Sequence, residues 1–428
     1  MEELANDKTF KEYLFFWTGQ LFSLLGSMVV FFVIIWWIAD VYESEILLAV
    51  ASFLFVLVMT LSMPIAGVLA DKLNRKMVII IADSLQAFLT LFLIIMFASG
   101  TADIGIVLLF ISLRSACQAF HAPTVSAIIP TMVPKDKLSR INGINFLFIG
   151  VVQLLAPFIG ATLLIFVSIE LILWVDIITF FIALVPLLLI AIPKVNGIQN
   201  TGEITEKISF IKDFKLGFKT LKMVPGLIIM TILSMLLNFL VRPIDALMPL
   251  FIKLNHGGGP ELLAFTEMLF TGGMISGAIL TSIKKNWNNK IRAIFISIIG
   301  AMFGYIIFAL APPGSILILG IGGAILGFNL PIINSLYQTF LQLTVPADKL
   351  GRVSSIDSSL GSAISPIGSL ISGPLAVFMG IPILFLTCGL TGTVITIAFW
   401  SFTGIRKIDL DNLHTSETIN EQLDSIMI

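Results

Sequence analysis

Twelve long apolar segments are the feature of this sequence that most restricts how the chain can fold. Each is close to the 20 or so apolar residues that a helix needs to cross a bilayer. They lie at 13–39, 46–69, 77–99, 104–132, 141–167, 170–192, 223–252, 262–283, 291–311, 314–344, 352–379 and 381–403. Only 12% of the 428 residues are charged, against about 25% in soluble domains. The sequence therefore predicts an all-α integral membrane protein with twelve transmembrane helices.

The positions of the basic residues predict how these helices are oriented. All of the 25 lysines and arginines except Arg114, Arg242 and Lys253 fall in segments that share one side if both termini are cytoplasmic. Because basic residues concentrate on the cytoplasmic side, we expect a multi-pass protein of the cell membrane with both termini cytoplasmic. The opposite loops carry acidic residues instead, namely Asp40, Glu43, Glu45 and Asp103. The net charge of −1 offers no basic face, so we expect no nucleic-acid partner.

An internal repeat predicts that the twelve helices form two halves. Residues 133–140 read VPKDKLSR and residues 345–352 read VPADKLGR, with six of eight positions identical at an offset of 212. We expect two pseudo-symmetric six-helix halves in one orientation, which is a transporter architecture. The predicted organisation is a cytoplasmic N-terminus at 1–12, halves at 13–193 and 223–404, a cytoplasmic linker at 194–222 and a cytoplasmic tail at 405–428.

Motifs of the commonest enzyme and metal sites are missing from the sequence. The glycine-rich segment 320–327 lies inside an apolar span with no Lys-Ser/Thr after it, so close helix packing explains it better than phosphate binding. There is no HExxH motif, and Cys117 and Cys388 lie in apolar runs as small hydrophobic residues. An intramembrane enzyme, which needs a nucleophile–base pair, is a remote alternative. We expect a transporter that is not an enzyme, has no cofactor and no metal, and acts as a monomer.

The loop between the second and third spans carries a specific motif. Residues 67–76 read GVLADKLNRK, which resembles the signature loop of the major facilitator superfamily, with Asn74 at a usual glycine position. Asn tolerates a left-handed turn better than most residues, so we expect the bend to be kept. The resemblance implies the major facilitator fold, alternating access and a gating motif of Gly67, Asp71, Arg75, Lys76 and Arg352. A carboxylate at Asp71 is attracted to a positive helix N-terminus; the alternative is that these charges only set topology.

Further residues resemble one branch of that superfamily. The segment 114–123 (RSACQAFHAP), the start Trp17-x-Gly19-Gln20 and the turn at 350–353 resemble macrolide-efflux proteins, over about residues 11–405. This implies proton-coupled efflux, by an antiporter, of amphipathic drugs such as macrolides, and hence antibiotic resistance. The implied partners are a small amphipathic substrate, protons and the lipid bilayer. The alternative is a lysophospholipid or metabolite transporter, acting as a flippase or proton symporter.

Ionisable residues inside spans are costly and usually face a cavity or a partner. A proton carrier needs a carboxyl whose pKa responds to its surroundings, and the proton-coupling candidates are Asp83, Arg114, Asp176 and Glu267. His121 can relay protons or donate a structural hydrogen bond, and Asp357, near the start of the eleventh span, is expected to cap that helix.

The substrate-cavity candidates lie in spans 1, 4, 7 and 10, which line the cavity by family resemblance. Arg242 and Asp245, three residues apart with Pro243 between them, either line this cavity or satisfy each other. The full set is Gln20, Trp36, Gln118, Asn238, Arg242, Asp245, Asn334 and Gln338.

Overall fold

The computed structural model describes residues 5–193, 221, 223–284, 287, 289–345 and 347–407. Within these ranges the side chains of residues 68, 70–72, 139, 347, 348, 352 and 407 are not described. The predicted linker at 194–222, apart from residue 221, and the tail after residue 407 lie outside the described residues. The side chains of Asp71 and Arg352, predicted to act in gating, lie outside them as well.

Thirteen α-helices and one short 3₁₀-helix form the described part of the chain. They are α1 (Asp7–Tyr42), α2 (Glu45–Lys72), α3 (Arg75–Ala98), α4 (Ile104–Met132), α5 (Lys135–Phe166), α6 (Ile169–Leu189), α7 (Leu227–His256), α8 (Pro260–Ile283), α9 (Lys290–Ala309), α10 (Ile316–Thr344), α11 (Ala347–Ala363), α12 (Ser365–Met379), α13 (Ile381–Phe402) and the 3₁₀-helix Gly404–Lys407. They provide 12 spans long and apolar enough to cross a membrane, with α11 and α12 together making one. The predicted fold class and number of spans are confirmed.

Polar caps set several helix ends that hydropathy misplaced. The first helix begins at Asp7 rather than at residue 13, because Asn6 and Thr9 form a reciprocal capping box ahead of the apolar run. Asn74 has an extended backbone (φ −65°) and its side chain accepts from the backbone N–H of Lys76, so it caps α3. The left-handed turn expected at Asn74 is therefore wrong, and capping of α3 is a sufficient physical reason for an asparagine there.

The chain divides into two compact units. Unit 1 comprises residues 1–201 and 248–268, and unit 2 comprises residues 202–247 and 269–428. In unit 1, α1 packs against α5 and α6, α2 packs against α4, and α3 packs against α4 and α6. These contacts bury Tyr13, Phe16, Ile79 and Met132 in one apolar cluster. Because α1, α3, α4 and α6 adjoin one another in this way, polar residues on their inner faces can meet.

Glycines bring two helices of unit 2 into backbone contact. A Cβ atom on Gly304 of α9 would lie 2.6 Å from the backbone nitrogen of Leu326. One on Gly322 of α10 would lie 2.6 Å from the backbone nitrogen of Phe308. Such distances leave no room for any side chain, so the close packing predicted for the glycine-rich segment 320–327 is confirmed.

Candidate functional site

A buried ion pair joins α4 and α6 of unit 1. The Nη1 atom of Arg114 lies 2.7 Å from Oδ2 of Asp176, and the two residues are 8% and 3% exposed. Thr90 on α3 donates to the same Oδ2 at 2.5 Å and also contacts Arg114. Ser27 on α1 donates to Oδ1 at 2.9 Å, and Gln86 donates to Ser27 at 2.5 Å. Both oxygens of Asp176 therefore have donors, which is what a charge buried in an apolar bundle requires.

A second polar group links α1, α3 and α4. Nε2 of His121 lies 2.7 Å from Oε1 of Gln20 and 3.3 Å from Oδ1 of Asp83. Both neighbours of this ring nitrogen are oxygen atoms, so the tautomer with a hydrogen on Nε2 can donate to either of them. Gln20 and Asp83 are buried and are 5% and 9% exposed. His121 therefore contacts Gln20 and Asp83, and Asp83 is one of the predicted proton-coupling residues.

The two groups repeat each other at a spacing of seven residues. Seven residues are nearly two helical turns, or about 10 Å along the axis, so both members of a pair face the same side. We call the group of Ser27, Gln86, Thr90, Arg114 and Asp176 the Arg114 layer, and the group of Gln20, Asp83 and His121 the His121 layer. The pairs that connect them are Gln20 with Ser27, Asp83 with Thr90, and His121 with Arg114.

Acidic residues at the end of α1 bind the lysine near the end of α7, within unit 1. Nζ of Lys253 lies 2.9 Å from Oδ1 of Asp40 and 2.9 Å from Oε1 of Glu43, and it donates to the backbone oxygen of Asp40 at 2.7 Å. Glu43 ends α1 with a left-handed backbone (φ 45°). A cavity of about 490 Å³ beside the cluster is lined by Trp36, which the sequence placed in the substrate cavity. Sequence reasoning noted the lone outer lysine and the outer acids without pairing them.

The basic residues of the family motif contact carbonyl oxygens in unit 1. Nη1 of Arg75 donates to the carbonyl of Ala127 at 2.7 Å. Nζ of Lys76 donates to the carbonyls of Leu188 and Ile190, both at 2.8 Å, at the C-terminal end of α6. A cation at this end complements the negative pole of the helix. Lys76 therefore has a structural contact in addition to any effect on topology. Gly67, the first residue of the motif, lies within α2.

Asp357 occupies a buried site of unit 2 that the sequence analysis missed. Its Oδ1 accepts from Oγ1 of Thr231 on α7 at 2.5 Å and from the hydroxyl of Tyr337 on α10 at 2.7 Å. It is 4% exposed and lies in the third turn of α11, which begins at Ala347. The expected capping role is wrong, because a capping side chain lies at the helix start. The available signal was an acidic residue well inside a membrane-spanning helix.

The remaining candidates are spread over several helices. Arg242 and Asp245 form the predicted pair, with Nη1 and Oδ2 3.2 Å apart, and α7 continues through Pro243. Asn238 donates to the backbone oxygen of Ser234 at 2.9 Å. Four further candidates lie on α4, α8 and α10. Gln118 on α4 and Glu267 on α8 are half-buried, and Asn334 and Gln338 on α10 are exposed.

The 12 spans of membrane length in the described part of the chain define a multi-pass membrane protein. The chain belongs to the Major Facilitator Superfamily, whose family model matches residues 16–369. It is 28% identical over 395 residues to macrolide efflux protein A of Streptococcus pyogenes, covering 92% of this chain and 96% of that one. It is 23% identical over 374 residues to the multidrug efflux pump Tap of Mycolicibacterium fortuitum, covering 85% and 88%.

A solved structure shows the same fold. The crystal structure of a mutant of the nucleoside transporter NupG superimposes with a TM-score of 0.73 over 91% of this chain and 99% of that chain. Its sequence identity is 13%, so this similarity concerns the fold alone.

Proposed function

We propose that this transporter exports amphipathic drugs such as macrolides across the cell membrane in exchange for protons, by alternating access. The observation that carries the proposal is the buried Arg114–Asp176 pair with its three supporting side chains. An ionisable group at this depth is costly to keep and is normally functional. The similarity to macrolide efflux protein A over 92% of the chain supports the choice of substrate.

The geometry suggests how protonation can act on the bundle. A proton on Asp176 removes its negative charge and weakens its attraction to Arg114, so the contact between α4 and α6 changes strength with protonation. The His121 layer, two turns away, offers a second carboxyl at Asp83 beside an imidazole that can exchange protons. A ligand shifts a conformational equilibrium only through a difference in affinity between two states, and these contacts provide a basis for such a difference.

The orientation and the gate complete the proposal. In this proposal both termini lie in the cytoplasm, and the 67–76 loop therefore lies on the cytoplasmic side. There Asp71 and Arg352 contribute to a gate that opens and closes during transport. Arg75 and Lys76 hold the adjoining helix ends through the carbonyls of Ala127, Leu188 and Ile190.

The test is accumulation of a labelled macrolide and a fluorescent lipophilic cation in cells that express the protein, with and without an uncoupler. We expect lower accumulation with the wild-type protein, and the uncoupler and Asp176→Asn should each abolish this difference. Glu170→Gln is the matched control, because Glu170 lies at the start of the same helix and accepts from Ser168 outside both layers. Accumulation of both compounds unchanged by the wild-type protein would refute drug export for these substrates.

A further inference from the structure

The start of α9 and the end of α13 lie side by side in unit 2. The two helices pack against each other, and the ring of Phe295 on α9 lies 5.1 Å from that of Trp400 on α13. The 3₁₀-helix Gly404–Lys407, which follows α13, also packs against α9. Arg292 in the first turn of α9 and Arg406 in the 3₁₀-helix are both exposed. The fold therefore brings two exposed guanidinium groups, far apart in the chain, to one end of this helix pair.

The loop before α9 adds positive charge and an indole ring to this end of unit 2. Lys284 is exposed at the start of the loop, and its Nζ lies 4.1 Å from the centroid of the Trp287 ring. The segment 268–347 contains four basic residues and no aspartate or glutamate. In the described part of the chain, no carboxylate oxygen lies within ion-pair distance of Lys284, Arg292 or Arg406. The loop therefore carries a positive charge that suits an anionic ligand.

Exposed apolar side chains extend along α9 from Arg292. Ile296 and Phe303 follow it at spacings of four and eleven residues, which place all three on one face of the helix. The opposite face of α9 is buried against α10 and α13, so this face is turned outward. From Arg292 to Phe303 the helix rises about 16 Å, which is half of the roughly 30 Å of bilayer hydrocarbon. The apolar row is therefore as long as one lipid leaflet is thick.

α13 has an exposed apolar row of the same kind, which leads towards Arg406. Its members are Leu390, Val394 and Ile397. Both helices thus present an apolar surface that ends in an exposed arginine. A lipid has this same division, with a charged headgroup at one end and acyl chains along the rest.

We propose that Arg292 and Arg406, with Lys284 and Trp287, bind the headgroup of an anionic phospholipid whose acyl chains lie along α9 and α13. Guanidinium groups bind phosphate through paired hydrogen bonds, and basic residues beside a bilayer attract anionic lipids. Tryptophan is enriched at the level of the headgroups. The inference goes beyond the proposed function, because it concerns the outer surface of unit 2 and not the exported substrate.

Basic loop residues also set the topology of membrane proteins. That role requires only that the charges lie on one side of the membrane. It makes no use of the packing that brings Arg406 to α9, or of the apolar rows that end there. A free phosphate ion makes no use of the apolar rows either, whereas an anionic lipid uses both the charges and the rows.

The test measures lipid binding to purified full-length protein by native mass spectrometry, which resolves each lipid bound. Phosphatidylglycerol and phosphatidylcholine with the same acyl chains are compared. We expect the first phosphatidylglycerol to bind about tenfold more tightly, which corresponds to roughly 1.4 kcal/mol. Raising the salt concentration should reduce this preference, because ions screen exposed charges.

Arg292→Gln/Arg406→Gln should remove most of the preference and leave the affinity for phosphatidylcholine unchanged. The matched control is Lys8→Gln/Lys11→Gln, which removes two exposed positive charges at the start of α1 and should keep the preference. Arg292→Lys/Arg406→Lys keeps both charges and should keep most of the preference. Lys284→Gln changes one exposed loop residue and should weaken phosphatidylglycerol binding about threefold, since each basic residue near an anionic lipid contributes. This variant keeps the test decisive if the double glutamine variant fails to fold.

Equal affinity of the wild-type protein for the two lipids would overturn the site. So would a preference that survives in Arg292→Gln/Arg406→Gln, or that is lost equally in the Lys8 and Lys11 control. Displacement of the bound lipid by inorganic phosphate would overturn the assignment to a lipid headgroup. A preference for phosphatidylglycerol without macrolide export would refute the proposed function and leave this site standing, and export without the preference would do the reverse.

Discussion

Asp176 in unit 1 and Asp357 in unit 2 are both buried carboxyl groups on membrane-spanning helices, but their neighbours differ. Asp176 contacts the guanidinium of Arg114 and accepts from Ser27 and Thr90, so both of its oxygens are occupied. Asp357 accepts from two hydroxyls on one oxygen. Among the residues that the structure describes, the first carboxyl pairs with a cation, whereas the second contacts only neutral hydroxyl groups.

The internal repeat makes the difference between the units sharper. At the offset of 212, Asp357 corresponds to Asn145 of α5. Asn145 is a neutral amide, and its Oδ1 accepts from Nε1 of Trp17 on α1 at 2.8 Å. The corresponding helices of the two units are thus joined by a polar side chain in both cases, but only unit 2 has an ionisable group there.

Removing the counter-ion of Asp176 is expected to have the largest effect. Arg114→Gln leaves a buried carboxylate uncompensated, and loss of one partner of a buried pair costs about 3–5 kcal/mol of unfolding free energy. Thermal unfolding in detergent measures this loss. The double variant Arg114→Gln/Asp176→Asn should recover much of the stability, since it buries no net charge, while transport stays lost. A double variant no more stable than Arg114→Gln would contradict this account of the pair.

Asn145→Leu is expected to have an intermediate effect. It removes the acceptor for the part-buried indole N–H of Trp17, and we expect a cost of about 1 kcal/mol, the lower end of the cost of an unsatisfied buried donor. The same unfolding measurement applies, with Trp17→Phe/Asn145→Leu as the control that removes donor and acceptor together. If the double variant is as unstable as Asn145→Leu, packing rather than this hydrogen bond accounts for the loss.

A smaller effect is expected at the cluster of Lys253, Asp40 and Glu43. The side chains of the two acids are about half exposed, and exposed ion pairs contribute about 0.2–1 kcal/mol. Lys253→Gln should therefore lower stability slightly, and the difference from wild type should shrink at high salt because ions screen exposed charges. A difference that is large and independent of salt would show that the cluster behaves as a buried pair, as Arg114 and Asp176 do.

The smallest effect on stability is expected from Asp357→Asn. The amide keeps an oxygen that accepts from Thr231 and Tyr337. It removes a charge that forms no ion pair with any residue in the described part of the chain. We expect a change within about 1 kcal/mol in unfolding free energy. A loss as large as that of Arg114→Gln would mean that Asp357 has a permanent counter-ion, and the contrast between the two units would disappear.

The number of spans and the family were predictable from the sequence, because hydropathy and the 67–76 motif act over short, contiguous stretches. Helix ends were less predictable. The start of α1 depends on the capping box of Asn6 and Thr9, and polar caps add helical residues that carry no apolar signal. The role of Asn74 was also not predictable from the sequence, because only the backbone conformation shows that this residue caps α3.

The candidate site was predicted as a set of residues and not as contacts. Asp83, Arg114 and Asp176 were recognised as charges inside spans, but Arg114 and Asp176 lie 62 residues apart in the chain. Which helix faces which depends on tertiary packing that a single sequence does not specify. The seven-residue spacing on α1, α3 and α4 was a usable signal for two layers on shared helix faces. Asp357 was missed because proximity to a helix start was given more weight than burial.

The contact between Gly304 and Gly322 limits how unit 2 can deform. Because the backbones of α9 and α10 touch there, neither helix can roll or slide against the other without opening a gap in the packing. In mechanical terms the two helices form a single stiff element. Spin labels at the ends of α9 and α10 should therefore keep the same separation throughout a transport cycle, whatever happens to the helices around them.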